Sequence, residues 1–206
     1  FSYPKGEKDC YINDGTISVN PLVAHEWNER GTQIKVQVSV REKPTMIVKS
    51  LPHLQQPYFQ HLDFAPLDVP CLAADEILAE KIRASQQRAK IRDLYDLAEF
   101  ANRPLNKDLI RRLAVIKVWQ SHKGAGYSYP AFLEKISEQA SYDIADLEQL
   151  VRRDKRPNLD AMISKVKGFY GFLDMLTPEE RELAADIKGD KKELYAQLKD
   201  SCLALA

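Results

Sequence analysis

The segment from Asp75 to Phe100, DEILAEKIRASQQRAKIRDLYDLAEF, constrains this chain more than any other stretch, because its charges fall into register on a helix. Counted from Lys81, the residues Arg88, Arg92 and Asp96 lie at +7, +11 and +15. At 3.6 residues per turn that keeps them within about 80° of one another. A stripe of three cations ending in a carboxylate suits a polyanion held through its phosphates, with the carboxylate free to hold a metal or orient a nucleophile. The same stripe on a solvated helix is also what a run of surface ion pairs looks like.

The order Glu76, Glu80-Lys81, Ala84, Arg88, Arg92-Asp93, Tyr95-Asp96-Leu97 resembles the E-x-x-x-E-K-x-x-A-x-x-x-R-x-x-x-R-D-x-x-D-L segment of the AbiEii/MenT nucleotidyltransferase toxins of toxin–antitoxin and abortive-infection pairs. The resemblance implies a toxin that transfers nucleotides from NTP, with Mg²⁺, to an RNA acceptor such as tRNA, and that is paired with a cognate antitoxin. It makes Lys81 and Asp96 the expected catalytic residues, and Lys81, Arg88 and Arg92 the expected nucleotide contacts. The metal ligands stay unassigned. The family's metal site is a Gly-Ser dipeptide followed by an Asp-x-Asp pair, and this chain has neither dipeptide nor pair. The alternative is therefore a catalytically incomplete fragment or remnant that acts as a nucleotide- or antitoxin-binding module. The start at Phe1 rather than Met favours a fragment.

Around the segment, the residue types predict local roles. Asp93 reads as a cap beside a local Arg92 ion pair, and Glu76 and Glu80 read as first-turn acids favourable to the helix dipole. Tyr95 and Leu97 read as core or interface.

The flanking chain divides by periodicity. Residues 1–70 read as the β-rich part of a nucleotidyltransferase-like domain. Their best strand is Gln33–Arg41, in which Ile34, Val36, Val38 and Val40 alternate with polar residues. Weaker strands are expected over Thr16–Val23 and Thr45–Lys49, and Leu51–Pro70 reads as a proline-punctuated connector. Three strands make a thin core, so this part is expected to lean on helices or on further sheet. Residues 71–206 read as a helical domain carrying the 75–100 segment. Its later helices are expected near Asn106–Gln120, Pro130–Ala140, Ile144–Arg152, Leu159–Leu176, Pro178–Ile187 and Lys191–Leu203, with a capping box at Thr177 and Glu180. The fold class is α+β, a partial mixed sheet followed by a helical bundle.

Charge and cysteine usage narrow the partners. Lys plus Arg and Asp plus Glu both number 30, so no field of the whole protein recruits nucleic acid or an anionic membrane, and any such contact must be a local patch. The run Val151-Arg152-Arg153-Asp154-Lys155-Arg156 is one candidate, though a solvated helix end explains it as well. Cys10, Cys71 and Cys202 are far apart and lack C-x-x-C spacing, which fits a reducing cytoplasm and argues against a disulfide framework or a zinc site. No apolar run approaches the roughly 20 residues of a membrane span.

Overall fold

The computed structural model describes residues 10–13, 15–26, 28–40, 43–121, 126–152, 154 and 156–205. Arg41, Gly124, Ala125, Arg153 and Lys155 lie outside the described residues, and with them the end of the expected strand and the centre of the basic run. The chain forms two compact units, Phe1–Lys43 and Pro44–Ala206.

In the first unit β1 (Cys10–Asn13), β2 (Thr16–Val19) and β5 (Val36–Ser39) form an antiparallel sheet in that order. The register pairs Ile12 with Ile17 and Ile17 with Val38, so these side chains share one face with Val19 and Val36. On the other face Ser18 is buried and accepts from Gln37 Nε2 at 3.1 Å. The alternation of Gln33–Arg41 is thus kept, but the ladder covers only Val36–Ser39. Asn20 and Pro21 break the expected Thr16–Val23 strand, and a separate hairpin of β3 (Leu22–His25) and β4 (Asn28–Gln33) follows. Within it Gly31 has φ +73°, and a Cβ there would sit 2.9 Å from Leu22 Cγ. Any side chain at that position would meet both strain and a clash.

The second unit opens with a hairpin, β6 (Lys49–Leu51) against β7 (Val69–Cys71), which closes the proline-rich connector. Every strand pairing among the described residues is antiparallel. Thr45–Lys49 is not a strand: the Thr45 and Met46 N–H groups donate instead to the Glu76 carboxylate, at 2.7 and 2.9 Å.

Eight α-helices follow among the described residues: α1 (Ala74–Gln87), α2 (Ile91–Phe100), α3 (Lys107–Gln120), α4 (Tyr129–Ser137), α5 (Ile144–Glu148), α6 (Leu159–Phe169), α7 (Pro178–Ala184) and α8 (Lys192–Leu205). Helix α3 is the axis of the bundle. Its Leu109, Ile110, Leu113, Ala114, Val115 and Ile116 are buried on all sides, and it packs against α1, α7 and α8. Two of its charged residues are buried as well, each with a partner. Arg111 Nε donates to Glu180 at 2.7 Å and Lys117 Nζ lies 2.7 Å from Glu76. Glu180 also completes the expected capping box, accepting from Thr177 N at 3.0 Å while its own N–H donates to Thr177 Oγ1 at 3.2 Å.

The expected Leu159–Leu176 helix tightens after Phe169 into a 3₁₀ turn over Tyr170–Asp174. The tightening lets Tyr170, Phe172 and Leu173 all face the core, where the Tyr170 hydroxyl donates to Leu97 O at 2.9 Å.

Candidate functional site

The charged segment is two helices rather than one. Arg88 is extended (φ −153°, ψ 147°), as is Lys90 (φ −125°, ψ 127°), and α2 starts afresh at Ile91. The apolar pattern explains the break. On a continuous helix Ile91, Leu94 and Leu97 would sit roughly 140° around from Leu78 and Ile82, so one rod could not bury both sets. Gln86 pins the end of α1 by donating to Gly126 O at 2.9 Å and accepting from Ser128 N at 3.1 Å. The expected stripe is thereby corrected: its residues converge because α2 folds back on α1, and not because they share a helical face.

At the fold, Lys81 Nζ lies 3.0 Å from Asp93 Oδ1 and 2.8 Å from Asp96 Oδ2. Arg88 donates to Asp93 Oδ2 through Nε at 3.2 Å and Nη2 at 3.1 Å. Asp93 is the most buried of the group, its side chain 5% exposed, against 30% for Lys81 and 40% for Asp96. The reading of Asp93 as a helix cap is therefore corrected. Its carboxylate is the node that holds both cations, and the sequence signal for it is the three-residue spacing to Asp96, which sets both acids toward Lys81. Burial opposes the charge on Lys81, but the bonds to Asp96 and Asp93 outweigh it and raise its pKa above the ordinary 10.5. Lys81 is accordingly an ammonium at neutral pH, suited to hold an anion rather than to act as a base.

A cleft of about 300 Å³ opens beside this cluster. Lys81, Arg92, Tyr95 and Asp96 line it from α1 and α2, and Leu147, Leu150 and Val151 line it from α5 and the residues after it. Arg92 reaches across to Asp146 of α5 in an exposed ion pair. Arg88, fixed on Asp93, is not among the lining residues. The cleft thus has a cationic side and an apolar side. The apolar one comes from the end of a short helix and the turn after it, which the charged segment does not foretell.

Glu76 differs from its expected role. It is fully buried, and burial opposes its ionisation, yet bonds from Lys117, Thr45 and Met46 hold its pKa below the ordinary 4.5. It anchors the 45–46 backbone to α1 and α3 rather than serving the dipole of α1. Glu80 accepts from Arg83 at 2.9 Å and sits 3.2 Å from Lys117.

The donor set does not fit a metal pair. Asp96 is the carboxylate that lines the cleft, its Oδ2 is taken by Lys81, and the described residues bring no three of His, Cys, Asp and Glu together in a way that could hold a metal ion. Among the described residues no helix is long and apolar enough to cross a membrane.

Comparison with curated proteins gives no match. Among solved structures the fold is similar to MenT4, a nucleotidyltransferase toxin from Mycobacterium tuberculosis, with a TM-score of 0.70 and 23% identity. The match covers 96% of this chain and 71% of that one. Residues 18–195 match the family described as the nucleotidyl transferase AbiEii toxin of type IV toxin–antitoxin systems. That match contains the two α1–α2 helices, the cleft and the helices that build it, and it covers well over half of the sequence: the chain belongs to the AbiEii nucleotidyltransferase toxin family.

Proposed function

We propose that this protein takes an NTP in the α1–α2 cleft and transfers its nucleotidyl group to an RNA acceptor such as tRNA, in the cytoplasm, and that a cognate antitoxin restrains it. The observation that supports this reading most is the meeting of Lys81 and Asp96, the two positions that match the family's functional residues, at the mouth of one cleft. The triphosphate lies along Lys81 and Arg92, with Arg88 backing Lys81 through Asp93. The base and ribose lie against Leu147, Leu150 and Val151, which offer the apolar wall such a ligand needs.

In this reading a phosphate displaces Asp96 from Lys81 and Asp146 from Arg92. Asp96 is then left to orient the attacking hydroxyl and accept its proton. The new bond joins that oxygen to the α-phosphorus, the α–β bridge breaks, and pyrophosphate leaves with its charge on Lys81 and Arg92. Mg²⁺ supplies further charge neutralisation in nucleotidyl transfer generally.

Incorporation of labelled NTP into total tRNA tests the reading. The unmodified chain is expected to label RNA, and Lys81→Ala and Asp96→Ala to abolish labelling; undiminished labelling by Asp96→Ala overturns it. A second reading, a module that binds nucleotide or antitoxin without turnover, is favoured by Asp96 being the one carboxylate among the described residues that line the cleft, and by the missing Gly-Ser and Asp-x-Asp. NTP binding by calorimetry with no labelling of RNA selects it.

A further inference from the structure

Along one edge of the helical unit, cations rest on aromatic rings at the turn between α2 and α3. The Arg103 guanidinium lies 5.3 Å from the Phe100 ring centre, and Lys107 Nζ lies 5.2 Å from that of Phe169. Lys165 Nζ donates to Asn102 Oδ1 at 2.5 Å, and on α6 Lys165 stands one turn before Phe169. Three helices and a turn therefore bring Phe100, Asn102, Arg103, Lys107, Lys165 and Phe169 together. None of the three cations contacts a described carboxylate, whereas Lys81, Arg92, Arg111 and Lys117 each do. Asp108, next to Lys107, is held by Arg111 Nη1 at 2.7 Å.

Cations without an ion-pair partner among the described residues, interleaved with half-open aromatic rings, suit a nucleic-acid strand. Phosphates meet the cations and unstacked bases meet the rings. Phe100 lies one turn beyond Asp96 on α2 and only about 40° around it, so a strand on this ridge runs toward the cleft. We infer that the Arg103–Lys107–Lys165 ridge holds the phosphodiester backbone of the acceptor RNA. The inference rests on the reading that the acceptor is RNA, and it is tested without NTP, so failure of the nucleotide reading leaves its outcome distinct.

The experiment is fluorescence anisotropy of labelled total tRNA with the unmodified chain and with the triple variant Arg103→Gln, Lys107→Gln, Lys165→Gln, which keeps a polar side-chain stem at each position, over the rings at 103 and 107. The slope of log affinity against log salt should flatten by roughly 0.7–0.9 per cation removed, and affinity at about 0.1 M salt should fall roughly a hundredfold. Arg103→Lys alone should keep most of the affinity, and unchanged thermal melting identifies a folded variant. Unchanged RNA affinity in a folded triple variant overturns the inference. So does the absence of RNA binding by the unmodified chain at about 50 mM salt, where phosphate contacts are strongest.

Discussion

Lys81 Nζ and Asp96 Oδ2 are 2.8 Å apart although fifteen residues separate them in sequence. On a straight helix that spacing would put their backbones about 22 Å apart. The three extended or non-helical residues at 88–90 therefore create the contact, and with it the cleft. Whatever straightens this break removes the site.

Asp93 should matter more to stability than Asp96. Its carboxylate is buried between two cations, while Asp96 is on the rim. Because Lys81 and Arg88 keep access to solvent, Asp93→Ala should cost roughly 1–3 kcal/mol rather than the full cost of a dry pair, and Asp96→Ala less than about 1 kcal/mol. Urea denaturation of the two variants measures the difference; equal midpoints remove Asp93 from its place as node.

Loss of the Lys81 ammonium should weaken NTP binding by about 1.5–3 kcal/mol, the range of one charge-assisted contact. Calorimetric titration of Lys81→Ala against the unmodified chain reads it. Equal affinities would move the phosphate site elsewhere.

The Arg92–Asp146 pair competes with any phosphate for the same guanidinium. Asp146→Ala should therefore leave NTP binding unchanged or tighten it by up to roughly fivefold, the span of an exposed ion pair. The effect should shrink as salt rises. Weaker binding in the variant would mean that α5 positions the ligand through this pair.

Glu76 gives a pH signature. Its pKa is lowered in the folded state, so its contribution is present above the ordinary 4.5 and is lost as pH falls through the lower folded value. The unmodified chain should thus be clearly more stable than Glu76→Gln at about pH 7, and the gap should close toward about pH 3. Denaturation midpoints of the two proteins across that range check the sign.

The sequence alone determined the α+β class, the capping box at Thr177 and Glu180, and a helix near 106–120, because each rests on residue types at fixed local spacing; it named Lys81 and Asp96 together, but their contact comes from the fold and not from a shared helical face. It misread Asp93 and Glu76. Both are acids in the first turn of a helix, where the dipole explains them locally. Their partners, Arg88 and Lys81 for one and Lys117, Thr45 and Met46 for the other, are brought to them by packing. The α5 wall of the cleft was equally hidden, since Leu147, Leu150 and Val151 look like any short amphipathic stretch until α5 lies beside α2. Tertiary structure decided the break at 88–90 as well. Neither Gly nor Pro marks it; the core decides it, because the apolar faces of α1 and α2 are out of phase and are both buried only if the chain turns.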